Sequence, residues 1–273
     1  VAQSGFGGVI VENRMLGEMY LRQPYRGNGS YSEGKPDINA GPVDGMIRTE
    51  SDMAWVKAMI ADGYKFNGVT KVAKDQLWYG DLIYADANGD GNYGDTNDMN
   101  FTGTSTQPRY NFGLNLSVAY KGFDFYMLWA GSAGFDLYWN HSSYNGTRTE
   151  NGFGISQRVA DNHYFYNPEN PSDSRTNITA KYPRITDQTQ RDNGTSSVFW
   201  KYKGDYVKLK NIQIGYTIPV KWTRKFMVEK LRFYFSGENL LTITSYPGLD
   251  PEMGTSITYP LTRQFAFGAQ LSF

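Results

Sequence analysis

The chain has 273 residues, 27 acidic and 27 basic side chains, and a formal net charge of zero. That balance gives no electrostatic attraction to nucleic acid or to an acidic surface, and the absence of cysteine excludes a disulfide framework and thiol chemistry. Mean hydropathy is −0.55, and no apolar run approaches the roughly 18 residues of a membrane helix; a membrane β-barrel hides its lipid face in alternation, so that class stays open.

The sequence opens at Val1 without Met or a signal segment, which reads as a processed product, a fragment or one piece of a larger assembly. The first predicted element is a short helix over about 49–62. Thr49-Glu50-Ser51-Asp52 supplies the cap, Met53, Trp55, Val56, Met59 and Ile60 the apolar stripe, and Gly63 the stop. The stripe is assigned to packing.

Asp86 to Asp98, DANGDGNYGDTND, has the spacing of a calcium loop. Calcium takes six to eight oxygens, which a loop supplies from alternate positions around a sharp glycine turn. Asp86, Asn88 and Asp90 fall at relative positions 1, 3 and 5, Gly91 at 6 and Asn92 at 7, with Asp95 and Asp98 as late carboxylates. Position 12 is Asn97 and not Glu, and the flank Gly80–Tyr84 reads as extended. This argues against a helix–loop–helix sensor and for a structural calcium staple. The alternative is a metal-free Asx/Gly turn.

From residue 108 the period changes to two. Tyr110, Phe112, Leu114, Leu116, Val118 and Tyr120 alternate with Asn111, Gly113, Asn115, Ser117 and Ala119. Beyond Lys121-Gly122, Phe123, Phe125, Met127 and Trp129 continue the apolar face. In 205–218 the parity slips, from Val207 and Leu209 to Ile212, Ile214, Tyr216 and Ile218. A bulge near Lys210-Asn211, or an upper half projecting beyond the membrane, accounts for the slip. Leu231, Phe233 and Phe235, then Phe265, Phe267, Ala269, Leu271 and Phe273, complete the series. The expected strands are 108–120, 123–138, 205–218, 230–242 and 263–273, each long enough to cross a bilayer at a tilt, which takes about 9–11 residues.

The links alternate between short (Lys121-Gly122, Pro219–Glu229) and long (139–204, 243–262), as barrel turns and outer loops do. With Phe273 at the periplasmic side, residues 1–107 fall outside and are expected to lack a core of their own. In the 139–204 link, Trp139, Tyr144, Tyr164, Tyr166, Trp200 and Tyr202 are candidate contacts for substrate or a lid, with packing within the loop as the alternative. His141 and His163 are not spaced as metal ligands. With no G-x-S-x-G, no cysteine nucleophile and no phosphate loop, no enzyme is read.

These features together define the fold class: all-β, the C-terminal part of a large transmembrane barrel with about five long antiparallel strands, long extracellular loops and one short helix. A secreted calcium-stabilised β-sandwich carbohydrate-binding module is the competing reading, because sandwich cores also alternate. Five strands cannot close a barrel, and an open edge in lipid leaves backbone groups unpaired.

GDLIYADANGDGNYGDTNDM and PRYNFGLNLSVAYKGFDFYMLWAGSAG, then GDYVKLKNIQIGYTIP, LRFYFSGENLLTITSYPGLDPEM and YPLTRQFAFGAQLSF, resemble in order the C-terminal third of SusC-like (SusC/RagA) TonB-dependent transporters. The resemblance implies a Gram-negative outer-membrane barrel of about 22 strands with an N-terminal plug. It implies import of oligosaccharides or oligopeptides, a SusD-like lipoprotein as lid, and energy from TonB acting on the N-terminal part. The N-terminal barrel and plug are then expected on another chain. The resemblance also places Asp86, Asn88, Asp90 and the following acids in the family's acidic loop near the lid, here with a one-residue insertion around Tyr93-Gly94.

Overall fold

The computed structural model describes residues 11–32, 34, 37–139, 155–185, 193–255, 259 and 261–273. In chain order come β1 (Glu18–Leu21), α1 (Glu50–Ala61), β2 (Lys65–Phe66), β3 (Asn92–Tyr93), β4 (Asn100–Ser105), β5 (Tyr110–Tyr120), β6 (Phe123–Ala133), β7 (Asp136–Tyr138), α2 (Gln157–Asp161), β8 (Lys201–Lys203), β9 (Tyr206–Thr217), α3 (Val220–Thr223), β10 (Lys230–Thr244) and β11 (Gln264–Ser272). They fall into two units, Val1–Thr104 with Tyr138–Lys201, and Ser105–Leu137 with Tyr202–Phe273.

The second unit is an antiparallel sheet in the order β11-β10-β9-β6-β5. These are the five long strands expected from alternation. The predicted 123–138 strand is interrupted at Gly134, whose φ of +79 suits glycine, and β7 starts anew at Asp136.

Register converts the alternation into faces. Val118 lies opposite Phe125, Phe125 opposite Ile214, Ile214 opposite Phe235, and Phe235 opposite Phe267. Cross-strand partners share a face, so one apolar row runs across all five strands. On the other face Ser117, Tyr126, Gln213, Ser236 and Ala266 form the matching row. Leu114 is 58% and Phe267 83% exposed. Among the described residues no second sheet covers this face, which removes the sandwich reading.

The expected bulge is present. Leu128 pairs with Asn211 and Trp129 with Leu209, so Lys210 is the extra residue. β10 is irregular at the same level, between Glu238 and Leu241, with Asn239 at φ +52. Lys210 resets the parity of β9, while the two extra residues of β10, Asn239 and Leu240, leave its parity unchanged, so Val207 and Leu209 join Leu241 and Ile243 on the apolar face.

The polar face is laced by ion pairs. Arg232 Nε donates to Asp124 at 2.9 Å, and a side chain on Gly215 would lie 2.5 Å from both partners. Lys208, only 1% exposed, donates to both Asp250 oxygens at 2.6 Å and to Glu252 at 2.8 Å, and Lys210 also reaches Glu252. The β10–β11 link is thereby folded onto β9.

The first unit differs from expectation, because it has a core. α1 carries the predicted capping box, Thr49 with Asp52, and buries Met53, Trp55, Val56 and Met59. Trp55 stacks on Tyr25 at 4.8 Å and meets Phe66 edge-on at 5.9 Å. The described residues up to Lys201 in the 139–204 segment are part of this unit, contributing Tyr164 and Ala180 to the same core. Its aromatic residues, read as contacts for substrate or lid or as packing, let both segments bury apolar area jointly.

Candidate functional site

Two features of the first unit offer chemistry: the acidic loop and an aromatic pocket.

In the loop, Asp86 to Asp98, the carboxylates organise backbone. Asp86 accepts the N–H groups of Gly89 at 2.7 Å, Asp90 at 3.2 Å and Gly91 at 2.8 Å. Asp90 accepts from the Asn92 N–H at 2.8 Å, and Asp95 from the Asn97 N–H at 2.7 Å. Asn92 Nδ2 donates to Asp95, and its Oδ1 accepts from the Gly68 N–H. Asp98 is buried and accepts four N–H groups, from Ala87, Asn88, Gly94 and Asp95. Burial pushes its carboxyl up against those bonds, which favour the anion. Arg22 Nε closes the rear of the loop, donating to the carbonyls of Gly94 at 2.7 Å and Asp95 at 2.9 Å.

This geometry divides the expected ligand set. A carboxylate has about four lone-pair sites, and the four N–H groups occupy those of Asp98. That residue organises the turn. Asp86, Asn88, Asp90, Asn92 and Asp95 keep acceptor capacity at the exposed rim. Among the described residues no three acidic or histidine side chains converge on one point. A cation would therefore draw on amide and carbonyl oxygens as well.

The pocket has a volume of about 320 Å³, with Lys74, Trp78, Tyr79, Tyr166, Glu169 and Arg184 among its lining. Trp78 meets Tyr79 at 90° and 5.5 Å, and Tyr79 meets Tyr166 edge-on at 5.1 Å. Lys74 Nζ lies 5.9 Å from the centre of the Trp78 ring. Tyr166 donates to Glu50 at 2.9 Å, and that bond, ahead of burial, raises its pKa; burial and the charge of Glu50 raise Tyr79. Both phenols stay protonated donors at neutral pH. Ring faces beside Lys74, Arg184 and the carboxylate of Glu169 suit an amphipathic ligand such as a sugar or a peptide side chain.

The floor is set by Asp81, fully buried. It accepts Arg184 Nε at 2.7 Å, Asn193 Nδ2 at 2.9 Å and the Trp78 N–H at 2.7 Å. Gly80, at φ +83, leaves room for Tyr164, whose ring would lie 2.3 Å from an added Cβ.

Of the aromatic candidates, Tyr166 lines the pocket. Tyr164 lines it too, although buried, and donates to the Arg48 carbonyl at 2.6 Å. Trp139 and Trp200 are buried with Tyr182, which stacks on Trp200 at 6.0 Å. For these three the packing alternative accounts for the position. Tyr202 lies half-buried in β8, and Tyr144 falls outside the described residues. Sequence reasoning missed Lys74, Trp78 and Tyr79. Their available signal was an aromatic pair directly before the Gly80 turn.

No family model matches the chain. It is 31% identical over 235 residues to TonB-dependent receptor P3 of Formosa agariphila, covering 77% of this chain and 22% of that protein. TonB-dependent receptor P39 of the same organism is 27% identical over 98% of this chain and 26% of its own length. Solved structures of the RagAB peptide importer in its open-open and closed-closed states superpose with TM-scores of 0.51 and 0.53 at 22% and 21% identity, over 71% of this chain and 21% of theirs. The sheet with one lipid-type face and one polar face is part of a TonB-dependent outer-membrane barrel. The chain belongs with the TonB-dependent receptors, and it spans about a quarter of the length of the curated relatives it matches.

Proposed function

We propose that the chain forms part of the wall and outer face of an importer that takes up oligosaccharides or oligopeptides across the outer membrane. The observation that carries this is the uninterrupted apolar row across β5, β6, β9, β10 and β11, backed by a polar, ion-paired face. Hydrocarbon on one side and water on the other is the environment such a sheet suits. The N-terminal barrel strands and plug complete the wall and contact TonB. A SusD-like surface lipoprotein covers the outside.

In this reading the first unit faces outward, and the pocket around Trp78, Tyr79 and Tyr166 contacts substrate or lid. The acidic loop binds calcium through Asp86, Asn88, Asp90, Asn92 and Asp95. When bound, the ion supplies positive charge that cross-links the rim of a segment already shaped by Asp98. No residue set supports an enzyme, and the matched proteins carry the names of receptors and importers.

The test is a native pull-down of the chain from detergent-solubilised outer membrane with intact-mass analysis. Recovery with plug-bearing barrel strands and a lid-sized lipoprotein supports the importer. A partner-free species that stays soluble without detergent overturns it.

A further inference from the structure

The link between β9 and β10 forms α3 and then a 3-10 turn, Arg224–Phe226, ended by Met227 at φ +58. It is folded: Thr223 is buried, its hydroxyl donates to the Val220 carbonyl at 3.3 Å, and its carbonyl accepts from the Val228 N–H at 3.3 Å. Yet Trp222 is 61%, Phe226 75% and Met227 85% exposed. Lys221, Arg224 and Lys225 are exposed between them, and Lys221 to Met227 contains no acid. Large apolar side chains held outward from an ordered turn mark a surface that meets something other than water.

The turn adjoins the apolar face of the sheet. A cleft of about 410 Å³ is lined by Val220, Arg224, Met227, Val228, Glu229 and Phe273. Phe273 continues the series Phe265, Phe267, Ala269 and Leu271 on the lipid side of β11. Arg224 thus lines a cleft with Phe273 where the apolar face ends, with the Tyr216 and Phe123 rings 4.5 Å apart on that same end of the sheet. A band of apolar surface, then aromatic rings, then cations is the order of a membrane interface read outward.

We propose that this link is an interfacial anchor whose partner is the anionic phospholipid of the leaflet at that end, the inner leaflet when Phe273 lies at the periplasmic side. Trp222, Phe226 and Met227 enter the boundary between acyl chains and headgroups. Lys221, Arg224 and Lys225 hold lipid phosphates, each strengthening attachment to an anionic surface by about fivefold. The inference rests on the second unit being a lipid-facing sheet.

The test uses the full-length receptor carrying this chain, in nanodiscs containing brominated phosphatidylglycerol or brominated phosphatidylcholine. Quenching at each position is read as the difference between native protein and Trp222→Phe or Trp129→Phe, Trp129 reporting the apolar face. The expected result is quenching at both positions, with Trp222 quenched at lower mole fractions of phosphatidylglycerol than of phosphatidylcholine. The preference falls about a hundredfold in Lys221→Gln/Arg224→Gln/Lys225→Gln and survives in Lys221→Arg/Lys225→Arg. Quenching of Trp129 without Trp222 overturns the anchor alone. Equal quenching of Trp222 by both lipids overturns the phosphate contact. Quenching at neither position overturns the lipid-facing sheet.

Discussion

Asp98 and Asp86 lie in one loop but do different work, and substitutions separate them. Asp98→Ala strands four N–H groups in a buried turn, and each buried group without a partner costs about 1–3 kcal/mol. Loss of stability is expected whether or not calcium is present, measured by urea unfolding with and without chelator. Asp86→Asn with Asp90→Asn retains acceptors for the backbone and lowers the charge at the rim. The expected outcome is at least tenfold weaker calcium binding by calorimetry with the apo protein little changed.

Asp81 is the other decisive residue. Asp81→Ala leaves Arg184 and Asn193 without their buried carboxylate, and breaking such a pair costs about 3–5 kcal/mol. Denaturant unfolding of the first unit tests this. Glu252 gives a pH prediction. Burial raises its pKa, but hydrogen bonds from Lys208 and Lys210 outweigh that and set it below the ordinary 4.5. A depressed folded pKa means the contact stabilises above the ordinary glutamate range and is lost as pH falls through the folded value. Amide protection at Glu252–Gly254 is expected to drop below about pH 4.5, and to be low at every pH in Lys208→Met/Lys210→Met.

At the scale of elements, strands were legible wherever a period of two ran unbroken, as in β5 and β11. The slip at Lys210 was legible because parity is a property of neighbours along the chain. Its counterpart at Asn239-Leu240 leaves no such signal, because two extra residues keep Phe235 and Leu241 on the same face an even number of residues apart. The contacts of Asp81 with Arg184 and Asn193 were illegible for another reason. They join residues 103 and 112 positions apart, and periodicity says nothing about pairs at that range. The core of the first unit escaped for the same cause, since its aromatics come from segments that read separately as loops. Face assignment itself is testable. Leu116→Arg, at mid-strand on the apolar side, is expected to destabilise the folded barrel by about 2–4 kcal/mol. Asn115→Arg, one residue away on the polar side, changes it little. Urea titration in micelles compares the two.

For the whole molecule, β5 and β11 each present an edge with unpaired backbone groups, which hydrocarbon does not tolerate. The chain expressed alone is therefore expected to give no heat-modifiable folded band on a gel. Co-expression with the preceding part of its receptor restores one.

β6 and β9 are neighbours in the sheet, yet the chain leaves one at Ala133 and enters the other at Tyr206, and most of what lies between folds with residues that precede β5. The sheet and the first unit can thus diversify separately, because exchanging the excursion leaves strand register untouched. The excursion is not a free cassette, however. Arg184 and Asn193 travel with it while Asp81 stays behind. A graft between related receptors is inherited intact only when both stretches move together, so shuffling in this family should follow pairs of segments and not single loops.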